Sequence, residues 1–148
     1  MKLYIMRHGD AKKSEPFPLS KRGRRESKKI ADALSDAGVK PDEIFCSGEL
    51  RAKETADIVS ERLGLTYSEA WGLDPEDEPH EWLEKIGMEE GNREIMLIGH
   101  LPNLSGLISL LLVGEERDLV VLRKSAVACL EESKGSWRLS FLLTPELV

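Results

Sequence analysis

The sequence predicts an α/β fold, a three-layer α/β/α sandwich around a largely parallel sheet. Short apolar runs with strand character alternate along the chain with longer segments whose apolar residues recur at helical spacing. The chain has 148 residues, enough to bury a sizeable core, and it most simply forms one domain over residues 1–148.

The first half of the chain supplies two predicted strands and two predicted helices. KLYIM (2–6) has the composition of a buried strand, and EIFCS (43–47) that of a second, shorter one. Helices are predicted over 20–37 and 49–63, and each is followed by a glycine that can cap it. The order strand, helix, strand, helix is typical of parallel sheets.

The second half continues the alternation. LTYSEA (65–70) is a candidate third strand, and a short helix is expected at 79–87 within an acidic, turn-rich stretch. EIMLIG (94–99) is a buried strand, and a helix begins near Pro102, a good first-turn residue, and ends at Val113. Three further strand candidates end the chain, DLVVL (118–122), SAVACLEE (125–132) and WRLSFLL (137–143), the last two expected to form a hairpin.

Composition excludes several classes of protein. The net charge of −6 argues against a general nucleic-acid binder, which is usually basic. No apolar run approaches the length of a membrane span. The two cysteines, Cys46 and Cys129, form no CxxC pattern and fit reduced thiols. We therefore expect a cytoplasmic protein with no membrane or nucleic-acid partner.

Three polar stretches, RHGD, CSGELR and GHLPN, follow predicted strands. Ligands of α/β proteins gather at the carboxyl ends of the strands, where helix N-termini also point. His8 and His100 come directly after strands, Arg7 precedes His8, and Arg51 begins the second helix. His80, the third histidine, is expected to be an ordinary surface residue. The sequence therefore predicts that two arginines and two histidines share one crevice.

These four side chains suit phosphoryl transfer. Guanidinium groups match phosphoryl oxygens in a bidentate geometry, and a neutral imidazole can carry a phosphoryl group covalently. Phosphoryl transfer mainly needs positioning and stabilisation of charge on the oxygens. The sequence contains no metal-ligand cluster, so we expect the cationic side chains to stabilise this charge without metal or organic cofactor.

The ordered set of segments resembles a known family. IMRHGD, the later SGELRAKETA and the late GHLPN are similar to the three signatures of the histidine phosphatase superfamily, which has the phosphoglycerate mutase-like fold. PLSKRG resembles the lead into the first helix of that family. The resemblance spans essentially the whole chain, and the short length points to the small SixA-type branch of phosphohistidine phosphatases.

The resemblance implies roles for the four residues. His8 would be the nucleophile that becomes phosphohistidine. Arg7 and Arg51 would bind the phosphoryl oxygens, and His100 would complete the pocket by hydrogen bonding to the same group. Two backbone contributions are also expected. Gly9 either lets the backbone approach the phosphate or is simply a turn glycine, and the helix start after Leu101 would direct N–H groups at the phosphate.

Larger family members usually have a glutamate or aspartate in the middle of the chain that protonates the leaving group, and this sequence has no clear match to it. The comparable stretch, WGLDPEDEPHEWL, offers Asp74 as the best single candidate, although the stretch also reads as a solvated acidic loop. Phosphohistidine tolerates the absence of an acid better than an alkyl phosphate does, because its P–N bond is already labile. Asp10, which follows Gly9, receives no role from the sequence.

A basic segment begins the first predicted helix. Cations near a helix N-terminus are disfavoured by the helix dipole, so their presence there calls for an explanation. They form either a solvated basic face or a docking patch for an acidic phosphoprotein. The residues are Lys21, Arg22, Arg24 and Arg25.

The function expected from the sequence is a phosphatase that acts through a covalent phosphohistidine intermediate of the enzyme and removes the phosphoryl group from phosphohistidine in a protein. Three alternatives remain. The first is a general phosphatase of small phosphomonoesters, and the second is a mutase that moves phosphate between hydroxyls. The third is a non-catalytic phosphate-binding module.

Overall fold

A computed structural model describes all 148 residues, with six strands, four α-helices and a final 3-10 turn at Pro145–Leu147. In chain order the elements are β1 (Lys2–Arg7), α1 (Lys21–Asp36), β2 (Glu43–Cys46), α2 (Leu50–Leu63), β3 (Ser68–Glu69), α3 (His80–Gly87), β4 (Glu94–Gly99), α4 (Asn103–Val113), β5 (Val127–Ser133) and β6 (Ser136–Leu143).

The strands form one sheet in the order β3-β2-β4-β1-β5-β6. β1 pairs with β4, β4 with β2 and β2 with β3, all in parallel. β5 is antiparallel to β1, and β6 is antiparallel to β5. The predicted largely parallel sheet is confirmed. β1 and β4 lie at its centre and are buried on both faces, which explains why both are continuous apolar runs.

Helices cover both faces of the sheet, as the predicted three-layer architecture requires. The α1 and α2 helices pack on one face in a cluster that includes Ile30, Ala56 and Met96. On the other face, α3 and α4 contribute Trp82 and Leu107 to a second cluster. Alternate residues of β1 and β4 belong to opposite clusters, because successive side chains of a strand point to opposite faces.

The start of α1 is fixed against the loop that follows β1. Ser20 caps the helix, and its Oγ accepts a hydrogen bond from the N–H of Gly23 at 3.0 Å. A Cβ at Gly23 would lie 2.0 Å from the carbonyl oxygen of Asp10, so only glycine permits this approach. Helix α1 is thereby held next to the residues that follow the central strand.

Two strand predictions need correction. DLVVL is not a strand, and its Leu119 and Val121 are exposed. The backbone turns just after it, where the N–H of Ser125 donates to the carbonyl oxygens of Arg7 and His8. LTYSEA contributes only the two-residue β3, because this edge segment pairs with β2 at Ser68–Glu69 alone. The remaining helices and strands lie where the sequence predicts them, within a few residues.

No helix has the length and hydropathy needed to cross a membrane. Cys46 and Cys129 are both buried and form no disulfide.

Candidate active site

The ends of three neighbouring strands meet at one edge of the sheet. His8 follows β1, Ser47 follows β2 and His100 follows β4. Backbone hydrogen bonds join these ends directly: the N–H of His8 donates to Gly99 at 2.9 Å, and that of Ser47 donates to Ile98 at 3.0 Å. The parallel pairing of β1, β4 and β2 therefore brings RHGD, CSGELR and GHLPN together.

His8 is buried, with 8% of its surface exposed. Its Nδ1 lies 2.7 Å from the carbonyl oxygen of Gly9. Because a carbonyl oxygen only accepts, Nδ1 carries the hydrogen and Nε2 keeps its lone pair. Burial lowers the pKa of His8 to about 4, and the positive charges of Arg51 and Arg7 act in the same direction. His8 is therefore a neutral imidazole with a free basic nitrogen at neutral pH.

His100 lies against His8, with 4.8 Å between the ring centroids and 52° between the ring planes. Its Nε2 is 3.0 Å from the hydroxyl oxygen of Ser47, whereas its buried Nδ1 has no hydrogen-bond partner. Burial lowers the pKa of His100 to about 3, and neighbouring His8, Arg51 and Arg7 add to the effect. The site thus contains a second neutral imidazole with one unsatisfied nitrogen.

Ser47 connects His100 to Asp74. The Ser47 hydroxyl donates a hydrogen bond to Oδ1 of Asp74 and accepts one from the N–H of Glu49 at 3.1 Å. Asp74, the candidate acid of the sequence, is thus linked to His100 through this hydroxyl. Sequence reasoning did not assign Ser47 a role, although its position directly after a strand in CSGELR was the available signal.

Two arginines complete the site. Arg7, at the end of β1, donates from Nη1 to the carbonyl oxygen of Leu122 at 3.3 Å, and its buried Nε has no partner. Burial lowers the pKa of Arg7. Arg51 lies in the first turn of α2, with Nη1 at 3.6 Å from a carboxylate oxygen of Glu49. Its positive charge contributes to the lowered pKa of both histidines.

Gly9 ties the loop after β1 to α2. Its N–H donates to Oγ1 of Thr55 at 3.0 Å, and that hydroxyl donates to the carbonyl oxygen of Arg51 at 2.8 Å. A Cβ at Gly9 would come within 2.8 Å of Oγ of Ser27. Close packing therefore requires the glycine, and Thr55 is a further positioning residue that the sequence did not reveal.

Asp10 has an evident structural role. Its Oδ2 accepts from the hydroxyl of Ser20 at 2.6 Å, and its Oδ1 accepts from Nζ of Lys124 at 2.9 Å. These two interactions, the Ser20 hydrogen bond first, lower the pKa of Asp10. The carboxylate joins the loop after β1 to the cap of α1 and to the segment before β5.

The remaining residues singled out by the sequence are Leu101 and the basic residues at the start of α1. The N–H of Leu101 forms no hydrogen bond within the protein. Arg22 lines a cleft of about 270 Å³ together with Arg7, Arg123 and Lys124. Arg22 forms an ion pair with Glu26, and Arg24 forms one with Glu54. Lys21 and Arg25 are exposed at the start of α1.

Comparison with known proteins agrees with this geometry. Residues 3–75 match the model of the histidine phosphatase superfamily (branch 1), and His8 and Arg51 lie within the matched part. The chain belongs to this superfamily and is a phosphatase by family.

Within the superfamily, the chain is similar to SixA. It is 29% identical to phosphohistidine phosphatase SixA of Escherichia coli (strain K12), over 95% of this chain and 94% of the relative. A structure of SixA complexed with tungstate superimposes with a TM-score of 0.88, at 27% identity and with 99% of each chain covered. α-Ribazole phosphatase from Shigella flexneri shares the fold, with a TM-score of 0.80 at 17% identity over 98% of this chain and 97% of the other.

Proposed function

We propose that the protein hydrolyses phosphohistidine in a protein substrate through a covalent phospho-His8 intermediate. The observation that carries the proposal is the state of His8. It is buried and neutral, with Nδ1 held by the Gly9 carbonyl and Nε2 free. Beside it are two buried nitrogens without partners, Nε of Arg7 and Nδ1 of His100. A phosphoryl group in this crevice would give both nitrogens the partner that they lack.

The proposed reaction has two displacements. In the first, the Nε2 lone pair of His8 forms a bond to phosphorus, and the bond to the substrate nitrogen breaks. The leaving imidazole keeps that electron pair and takes a proton from solvent. In the second, water attacks phosphorus and loses a proton to solvent. The bond to His8 breaks, Nε2 regains its electron pair, and phosphate leaves. Arg7, Arg51 and His100 would stabilise the charge on the phosphoryl oxygens in both steps.

We also propose that the reaction needs no metal ion. The guanidinium groups of Arg7 and Arg51 supply positive charge where the phosphoryl oxygens would lie. No cluster of three His, Cys, Asp or Glu side chains with metal-binding geometry occurs in the structure. Full activity after dialysis against a chelator is expected, and loss of activity that is restored by a divalent cation would contradict this part of the proposal.

Phosphohistidine is favoured as the substrate for two reasons. The chain is similar over its whole length to SixA, a protein named as a phosphohistidine phosphatase, and a SixA structure binds tungstate, a tetrahedral oxyanion. In addition, the carboxylate linked to the pocket, Asp74, is hydrogen-bonded to Ser47. An alkyl phosphate needs a positioned acid to protonate its leaving oxygen. A leaving imidazole depends less on such an acid.

The second candidate function is a phosphatase of small phosphomonoesters, with Asp74 as the acid. The link from Asp74 to His100 through the Ser47 hydroxyl favours this alternative. A substrate panel separates the two functions. Phosphohistidine peptide should be hydrolysed faster than sugar phosphates, and Asp74→Ala should not abolish phosphohistidine hydrolysis. The reverse order of substrates would establish the alternative.

The protein partner is proposed to be acidic. Arg22 lies in the same cleft as Arg7, so a partner held there would sit beside the phosphoryl pocket. The cleft is lined by four cationic side chains, Arg7, Arg22, Arg123 and Lys124, and by three carboxylates, Asp10, Glu26 and Glu146. Charge reversal at Arg22 and Arg25 should raise KM for the phosphoprotein but not for a small chromogenic phosphate. Lys134→Glu is the matched control, because Lys134 lies in the β5–β6 turn at the opposite end of the strands. Equal effects on both substrates would refute the docking patch.

The central experiment compares wild type with His8→Ala on a phosphohistidine protein and on a sugar phosphate. Activity should fall by at least about a thousandfold, and an acid-labile phosphoenzyme should form in wild type only. His80→Ala is the matched control, since His80 is exposed at the start of α3. The absence of any phosphoenzyme would favour a non-catalytic binding module, and transfer to a hydroxyl would indicate a mutase.

The compartment proposed for the protein is the cytoplasm. Support comes from Cys46 and Cys129, two buried thiols that form no disulfide, as is usual in a reducing environment.

A further inference from the structure

The hydrogen bonds around Ser47 constrain the protonation of His100. Three groups surround the Ser47 hydroxyl: the N–H of Glu49, Oδ1 of Asp74 and Nε2 of His100. The Glu49 N–H can only donate, and a carboxylate can only accept. The single hydroxyl proton of Ser47 therefore goes to Asp74, and the remaining lone pair of Oγ accepts from His100.

This arrangement selects one tautomer of His100. Nε2 carries the hydrogen that Ser47 accepts, so Nδ1 of the neutral ring has a bare lone pair. Nδ1 is buried and has no partner. A bare lone pair repels a phosphoryl oxygen, whereas a protonated Nδ1 would donate a hydrogen bond to it. The neutral ring is thus mismatched to an anion until His100 takes up a proton.

We propose that Asp74, acting through Ser47, is the positioning residue that orients His100 and stabilises its doubly protonated form when a phosphoryl group fills the pocket. The inference rests on the proposed function only in taking a phosphoryl group as the ligand. The proton comes from solvent and binds Nδ1, while Nε2–H stays on Ser47, so His100 gains one positive charge. Asp74 is then one hydroxyl away from an imidazolium and does not itself contact the substrate.

Asp74 is the negative group in this linked set. The other charged or titratable neighbours of His100 are His8, Arg7 and Arg51, and all three disfavour its protonation, as does burial. Protonation of His100 therefore requires that the negative charges of the anionic ligand and of Asp74 together outweigh burial and these three neighbours. A charge-assisted hydrogen bond of this kind is worth about ten- to hundredfold in an equilibrium constant.

The test observes the ring nitrogens directly by ¹H–¹⁵N NMR of the histidines, with inorganic phosphate as the probe. In free wild type at neutral pH, Nε2 of His100 should be protonated and Nδ1 bare. With saturating phosphate, the pKa of His100 should rise, so that both nitrogens are protonated at a higher pH than in the free protein. Asp74→Asn keeps an acceptor oxygen but removes the charge, so it should lower the pKa of His100 in the phosphate complex by about one unit. Ser47→Ala should abolish the preference for the Nε2–H tautomer.

Glu76→Gln is the matched control, because Glu76 is an exposed carboxylate two residues from Asp74 and should leave the spectra unchanged. Asp74→Asn should also shift the alkaline limb of the kcat profile to lower pH, again by about one unit. A bare Nε2 in free wild type, or equal shifts in Asp74→Asn and Glu76→Gln, would overturn the inference. If wild type hydrolysed no phosphohistidine but His100 showed the expected protonation of its two nitrogens, the proposed function would be refuted and the inference about Asp74 would stand.

Discussion

Acidification should destabilise this protein, because two buried histidines resist protonation in the folded state. The pKa is about 4 for His8 and about 3 for His100, against about 6.5 for an exposed imidazole. Below that unfolded value, the unfolded chain binds protons that the native protein does not. The free energy of unfolding therefore falls as the pH drops below about 6.5 and stops falling below the folded pKa values.

The size of the effect follows from these pKa values. At pH 5 an unfolded imidazole is almost fully protonated, while His8 is only about one-tenth protonated. Integrating the difference from pH 7 to pH 5 gives about 2 kcal/mol for His8, and His100 contributes a similar amount. The total is a large part of the 5–15 kcal/mol, roughly, that stabilises an ordinary domain.

Urea unfolding between pH 7 and pH 5 measures this directly. Wild type should lose about 4 kcal/mol over the interval, and His8→Gln should lose about 2 kcal/mol less. His80→Gln should behave as wild type, because His80 is exposed. If wild type and His8→Gln lost the same free energy, His8 would not be held neutral by burial, and the description of the proposed nucleophile would be wrong.

Three further predictions concern single side chains. Arg51→Lys keeps the charge but loses the guanidinium fork, so kcat/KM should fall about ten- to hundredfold in steady-state assays, with little change in unfolding free energy. Gly9→Ala places a Cβ 2.8 Å from Oγ of Ser27 and should cost about 1–3 kcal/mol of stability in urea titrations, so an unchanged midpoint would contradict the packing described. Asp10→Ala removes the acceptor of the Ser20 hydroxyl and should cost about 1 kcal/mol while leaving kcat/KM within about twofold, whereas a large kinetic effect would indicate a direct role for Asp10.

Much of the fold could be predicted from the sequence because local patterns and global packing agree. The apolar runs of β1 and β4 are continuous because both strands are buried on two faces. DLVVL is the instructive exception. Its composition is typical of a strand, but the chain at Ser125 is hydrogen-bonded to Arg7 and His8, and this segment pairs with no strand. Strand formation depends on a partner, and a partner cannot be read from a single segment.

The sequence by itself determined the candidate residues for the proposed chemistry: His8 and His100 after buried strands, with Arg7 and Arg51 as the arginines. Only the tertiary structure decided which nitrogens of the two histidines are protonated. The Gly9 carbonyl selects the tautomer of His8, and the Ser47 hydroxyl, held by Asp74, selects that of His100. Ser47 and Asp74 are 27 residues apart. Hydrogen-bond partners and burial arise from such distant contacts, and they set the pKa of a side chain. The residue type alone sets only which protonation states are available to that side chain.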